Sequence, residues 1–229
     1  MAWRSSWRSV AGRSASAVWW AFLVALGAGY LLGSLPAGLW VGRVARGIDI
    51  RRYGSGKTGF TNVVRTVGAR WGIVALAGDL AKGAVPVVIA RLISGEPYVQ
   101  AVAGLAAAIG HDWPVFAGFQ GGRGVATSYG AALAMNPIAA AALLPFGIGV
   151  VALTRIMSLM SVGMAPVLAV VFLVLAATGL QPWAYAVYAL LAAAMVLVLH
   201  RENIERLLAG TEPRFGEGGS RRGEARPDG

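Results

Sequence analysis

The stretch "YGSGKTGFTN", Tyr53–Asn62, decides between two folds. Gly56-Lys57-Thr58 matches the end of a G-x-x-x-x-G-K-[ST] nucleotide loop, which lies between a strand and a helix in an α/β domain. The first glycine of that pattern falls at position 51, which is Arg51. No strand pattern precedes the loop and no βαβ alternation occurs elsewhere, so the nucleotide reading fails. The physical logic of such a loop survives without that fold. Glycines turn successive backbone N–H groups toward one anion, and lysine, threonine or arginine adds charge or a donor. Gly54, Ser55, Gly56, Lys57, Thr58, Gly59, Thr61 and Asn62 suit that task, with Arg65 in reach. The plainer alternative is a flexible loop whose cations touch lipid phosphates.

Around this polar gap the chain is apolar. Of 229 residues, 57% are hydrophobic and 13% charged, about half the charged share of a soluble domain. Several windows reach the ~20 apolar residues needed to cross a bilayer. The expected fold class is therefore all-α, a polytopic integral membrane protein. Cysteine is absent and only His111 and His200 occur, which excludes disulfides, thiolate chemistry and a histidine-rich metal site. No metal and no cofactor are expected. The net charge of +10 points to anionic lipid or an anionic substrate rather than nucleic acid.

Apolar runs predict seven transmembrane helices at about 18–42, 71–93, 99–116, 124–136, 138–154, 162–179 and 182–200. The run from Val18 is too long for a cleaved signal and reads as a retained first span. The break at Asn136-Pro137 separates two short helices. Cations set the orientation. The gap 43–70 holds Arg43, Arg46, Arg51, Arg52, Lys57, Arg65 and Arg70 against one acid, Asp49, and so faces the cytoplasm. Arg123, Arg155, Arg201 and Arg206 fall on the same side, whereas "SGEPY", "MNP" and "GLQP" carry no lysine or arginine. The expected division is an extracytoplasmic basic arm over 1–17, a membrane domain over 18–210 and a disordered cytoplasmic tail over 211–229. The amino terminus is then outside and the carboxy terminus inside.

A second glycine-rich basic turn, Gly121-Gly122-Arg123-Gly124, lies on the cytoplasmic face, suggesting two phosphate-bearing groups. The next inward turn offers Ser158 and Ser161. In "HRENIERLLAG", His200, Asn203 and Ile204 share one helix face. Asp79 and Lys82, three residues apart within the second span, read as a buried pair, and His111 as a helix-end brace.

These motifs resemble the bacterial acyl-phosphate:glycerol-3-phosphate acyltransferases of the PlsY type. The resemblance runs from about Gly29 to Phe215 and rests on "GSLPAG", "GSGKTGFTNVVRTVG", "GDLAKGAVP", "GHDWPVFAGFQGGRGVAT", "SLMSVG" and "HRENIERLLAGTEPRFG". It departs where Lys57 replaces an asparagine and where Gln120 and Arg123 replace lysines. The resemblance implies seven spans in the inner cell membrane and an active site facing the cytoplasm. It implies transfer of a fatty acyl group from acyl phosphate to the 1-hydroxyl of glycerol 3-phosphate, giving lysophosphatidic acid and phosphate, the first step of phospholipid synthesis. An acyl-phosphate-producing enzyme is then a functional partner. Ser55, Gly56, Gly121, Gly122 and Arg123 are expected at the acyl phosphate. Lys57, Asn62, Arg65, His200 and Asn203 are expected at glycerol 3-phosphate. His200, Ser158 and Asn203 are the catalytic candidates, with either His200 or a substrate phosphate as base. The rival class is a transporter for a phosphorylated or anionic solute, although no internal repeat is visible and the polar motifs gather on one face.

Overall fold

The computed structural model describes residues 15–215 together with Glu217 and Ser220. The predicted arm over 1–17 lies largely outside these residues. The described residues form eleven α-helices: α1 Ala15–Gly33, α2 Ala37–Arg46, α3 Phe60–Val67, α4 Ala69–Ile93, α5 Pro97–Asp112, α6 Val125–Met135, α7 Pro137–Ala141, α8 Leu144–Thr154, α9 Met157–Ala177, α10 Trp183–Leu199 and α11 Arg201–Leu208. The protein is thus all-helical. Among the described residues, four helical stretches are long and apolar enough to cross a membrane: Trp19–Arg46, Ala69–Ile93, Pro137–Thr154 and Met157–Ala177. A fifth arises if α10 and α11, bent by 62° at His200, count as one. The α5 and α6 segments are shorter, about 24 Å and 17 Å at ~1.5 Å per residue.

The helices bury small residues against one another. Ala103 and Ala107 of α5 are fully buried beneath α1, since side chains without bulk let membrane helices approach closely. A larger core joins α6, α9 and α10 around Phe172 and Tyr188, both fully buried. A third cluster holds Ile50, Val63 and Ala75 under the basic gap.

Several boundaries differ from the sequence expectation, for local reasons. The first span is interrupted before Pro36, whose ring nitrogen cannot donate, and the half-buried Leu35 carbonyl accepts from Lys82 Nζ at 2.9 Å. The gap 43–70 is not one loop. It contains the end of α2, a 3-10 turn at Ile50–Arg52 capped by Asp49, and α3, which buries Asn62, Val63, Thr66 and Val67. The split at Asn136 is present, with the Asn136 side chain accepting from Ala139 N at 3.1 Å. α9 starts at Met157, so Ser158 and Ser161 lie in its first turns rather than in a connecting turn. The segment 211–215 is no free tail. The Glu212 carboxylate takes bonds from Asn203 Nδ2 at 2.6 Å and Arg206 Nε at 2.7 Å, and Phe215 stacks on Phe60 with ring centroids 6.2 Å apart.

Candidate active site

Two glycine-bearing loops meet at the basic end of the bundle. Thr58 N donates to the Gly121 carbonyl at 3.4 Å, and an Arg51 guanidinium N–H donates to the Ala117 carbonyl at 2.8 Å. The first loop is fixed from within by Asn62, which is 1% exposed. Its Oδ1 accepts from Ser55 N at 3.0 Å, and its Nδ2 approaches the carbonyls of Ile50, Tyr53 and Lys57 at 3.0, 3.2 and 2.8 Å. The second loop is pressed onto the end of α5. Gly122 N bonds the His111 carbonyl at 3.1 Å. A Cβ at Gly121 would strike that carbonyl, and one at Gly122 would strike the His111 ring. Only glycine fits at either position, which leaves the loop backbone bare.

The loops roof a cavity of about 590 Å³, within the range of small-molecule sites. Its mouth is polar, bordered by Ser55, Lys57, Gly122, Arg123 and His200. Its body is apolar, walled by α8, α9 and α10 through residues such as Ile148, Met160, Met164 and Ala192. His200 is 3% exposed. Its Nδ1 must be the donor to the Val196 carbonyl at 2.8 Å, which leaves Nε2 as the nitrogen with the lone pair.

At this end of the bundle, several buried polar atoms lack hydrogen-bond partners among the described residues. The Nε atoms of Arg65 and Arg123 and the Oδ1 of Asn203 are among them. Arg65 makes one bond, to the Pro213 carbonyl at 3.3 Å. Burial pushes both guanidinium pKa values below the usual arginine range, because a cation taken out of water loses hydration that the site does not replace. An anion at this point would restore it. The buried Ser158 hydroxyl lies beside the Glu212 carboxylate.

The sequence candidates divide into two groups. Ser55, Lys57, Asn62, Gly122, Arg123 and His200 border the cavity. Gly56, Gly121, Arg65, Ser158 and Asn203 stand behind it. Arg65 bonds the Pro213 carbonyl and Asn203 the Glu212 carboxylate. Asn62 is corrected from substrate ligand to loop brace, since both ends of its amide are already occupied. Sequence reasoning missed Glu212 and Phe215, which lie in the segment read as tail, and Phe60 of α3, on which Phe215 stacks. Asp79 and Lys82 do pair, at 3.0 Å. Asp79 also receives His111, at 3.4 Å, and both border the cavity.

The family model for glycerol-3-phosphate acyltransferase matches residues 23–210. A glycerol-3-phosphate acyltransferase of Synechococcus sp. (strain CC9902) is 47% identical over 197 residues, covering 86% of this chain and 96% of the relative. Another, from Synechococcus sp. (strain JA-3-3Ab), is 50% identical over 200 residues, with 86% and 94% coverage. The crystal structure of PlsY, an integral membrane glycerol 3-phosphate acyltransferase, in its glycerol 3-phosphate form superposes with a TM-score of 0.76 at 36% identity, covering 85% of this chain and 96% of that one. Its lysophosphatidic acid form superposes with a TM-score of 0.76 at 37% identity.

Proposed function

The chain belongs to the glycerol-3-phosphate acyltransferase family, and from that premise we propose that its acyl donor is an acyl phosphate bound between the two glycine loops. The protein is an integral membrane acyltransferase of phospholipid synthesis, which removes the transporter alternative. One observation carries the donor reading: an apolar slot opens onto two bare-backbone loops that touch each other beside an arginine with a free Nε. An acyl phosphate has the matching form, a hydrocarbon chain ending in a compact anion.

In this reading Ser55, Gly56, Gly121, Gly122 and Arg123 hold the donor phosphate. Lys57, Arg65, His200 and Asn203 hold glycerol 3-phosphate, and Ser158 adds a hydroxyl to one of the two phosphates. The 1-hydroxyl oxygen of the acceptor attacks the acyl carbon. The new ester C–O bond forms as the bond to the phosphate oxygen breaks, and the electron pair leaves with phosphate. The hydroxyl proton passes to a phosphate oxygen or to His200 Nε2. The mixed anhydride is already activated, so alignment and charge stabilisation supply most of the catalysis. Attack is direct, without an acyl-enzyme.

The placement follows the charge rule: seven spans in the cell membrane, the amino terminus outside, and the basic end with its site in the cytoplasm. An acyl-phosphate-producing enzyme then supplies the donor from that side. Purified protein given labelled glycerol 3-phosphate and either acyl phosphate or acyl-CoA tests the donor. Lysophosphatidic acid forms from acyl phosphate, and equal rates with acyl-CoA would refute the assignment. A cysteine at Ser55 labels from the cytoplasmic side and one at Gly95 from outside. Labelling of both from one side overturns the topology.

A further inference from the structure

We infer that this enzyme measures its acyl chain, with a floor at Leu168 and Ala189 setting the longest chain that enters straight. The inference rests on the acyl-donor reading above. Two helices give the depth of the slot independently, and a third walls its side. On α9 the cavity lining runs from Met157, at the polar mouth, to Leu168. On the antiparallel α10 it runs from the mouth down to Ala189, with His200 just beyond the mouth end of that helix. Each interval is eleven residues, or about 16 Å at ~1.5 Å per residue. On α8 it runs from Ala152 to Leu144, eight residues or about 12 Å on the same scale.

Below that level the slot ends. Phe172, one turn past Leu168, is fully buried and does not border the cavity. Tyr188, beside Ala189, is also fully buried, and its hydroxyl is committed to the Ser128 carbonyl at 2.7 Å. Together they form a packed layer. An extended alkyl chain advances about 1.3 Å per carbon, from bonds of ~1.5 Å at near-tetrahedral angles. The slot therefore takes about twelve or thirteen carbons below the level of Met157. Midway down, Gly147 keeps the bore open. A Cβ there would come within 3.0 Å of Met164 Sδ and push that side chain.

The test is a ladder of acyl phosphates lengthened by two carbons at a time, read as kcat/KM. In the wild type each carbon of a donor taken up from water that gains burial raises kcat/KM by about fourfold, the equivalent of ~0.8 kcal/mol per methylene, until the chain meets the floor and the gain stops. Ala193→Leu, one turn nearer the mouth than Ala189→Leu, should cut the profile about four or five carbons earlier. Leu168→Ala should move the break to longer chains. This enlarging variant keeps the inference testable if either leucine variant fails to fold. Breaks that follow the order of residue depth support the floor. A wild-type profile without a break, or breaks unmoved in active variants, overturns it, because the chain then leaves sideways into the bilayer. Failure of every acyl phosphate as donor would instead overturn the donor assignment, so the two failures are distinguishable.

Discussion

Two polar clusters lie at opposite ends of the bundle, and they differ in what their atoms lack. At the end away from the glycine loops, Gln100 joins α4, α5 and α10. Its Oε1 accepts from Arg91 Nε at 3.2 Å and from Tyr185 OH at 2.8 Å, and its Nε2 donates to the Gly95 carbonyl at 3.3 Å. Asn136 Nδ2 donates to Gln181 Oε1 at 2.8 Å, and Gln181 Nε2 donates to the Phe172 carbonyl at 2.6 Å. This network is closed on itself. At the glycine-loop end, Arg65, Arg123 and Asn203 hold buried atoms without partners. A closed network serves the fold, whereas the unpartnered groups lie at the end where the phosphate site is proposed.

The largest expected difference is in activity. Arg123→Ala and Arg65→Ala each remove a charged donor from the proposed phosphate site, a loss of about 1.5–3 kcal/mol per charge-assisted bond. Acyl-transfer kcat/KM should fall from tenfold to more than a hundredfold with the melting temperature held. Activity near wild type in both would erase the contrast between the two ends. The opposite end should respond in the reverse sense. Gln100→Leu leaves Arg91 Nε and the Tyr185 hydroxyl without their acceptor, so stability should drop by about 1–3 kcal/mol. The KM for glycerol 3-phosphate should not move. A changed KM in a folded variant would show that the closed network reaches the site.

A smaller effect sharpens the site itself. If Lys57 supplies the charge that Gln120 does not, Lys57→Asn should weaken apparent substrate affinity and added Gln120→Lys should restore it. Lys57 is exposed, so the loss should be only several-fold. Strict additivity in the double-mutant cycle would reject compensation.

The smallest effect concerns the strap after α11. Burial alone would raise the Glu212 carboxyl, but hydrogen bonds from Asn203 and Arg206 and the nearby Ser158 hydroxyl hold it below its ordinary value of 4.5. Its stabilisation is therefore present above about pH 4.5 and lost as pH falls through the lower folded value. Glu212→Gln should melt earlier than wild type at about pH 7, and the difference should shrink in acid. A gap between the two melting temperatures that is independent of pH would contradict this.

Much of the membrane framework was legible in the sequence because apolar runs and cation placement are local signals. The Asn136-Pro137 break and the Asp79–Lys82 pair were equally local. The strap was not, since "TEPRF" is polar and, Asn203 and Arg206 aside, its order comes from partners far away in the chain such as Phe60 and Arg65. Asn62 misled for a related reason. An amide in a glycine-rich loop suits an anion, and only the fold shows that four backbone groups occupy it. The interruption at Pro36 was hidden because the run 18–42 stays apolar through it, and the satisfying donor, Lys82, arrives from another helix.

The contrast between open and closed ends is tested most directly by equilibrium binding of labelled glycerol 3-phosphate to the purified protein, with inorganic phosphate as competitor. The wild type and Gln100→Leu should bind alike, and both should be displaced by phosphate. Arg65→Ala should bind at least about tenfold more weakly, the equivalent of ~1.4 kcal/mol. Unchanged binding in Arg65→Ala, or an equal loss in folded Gln100→Leu, would contradict the placement of the phosphate site at the glycine loops.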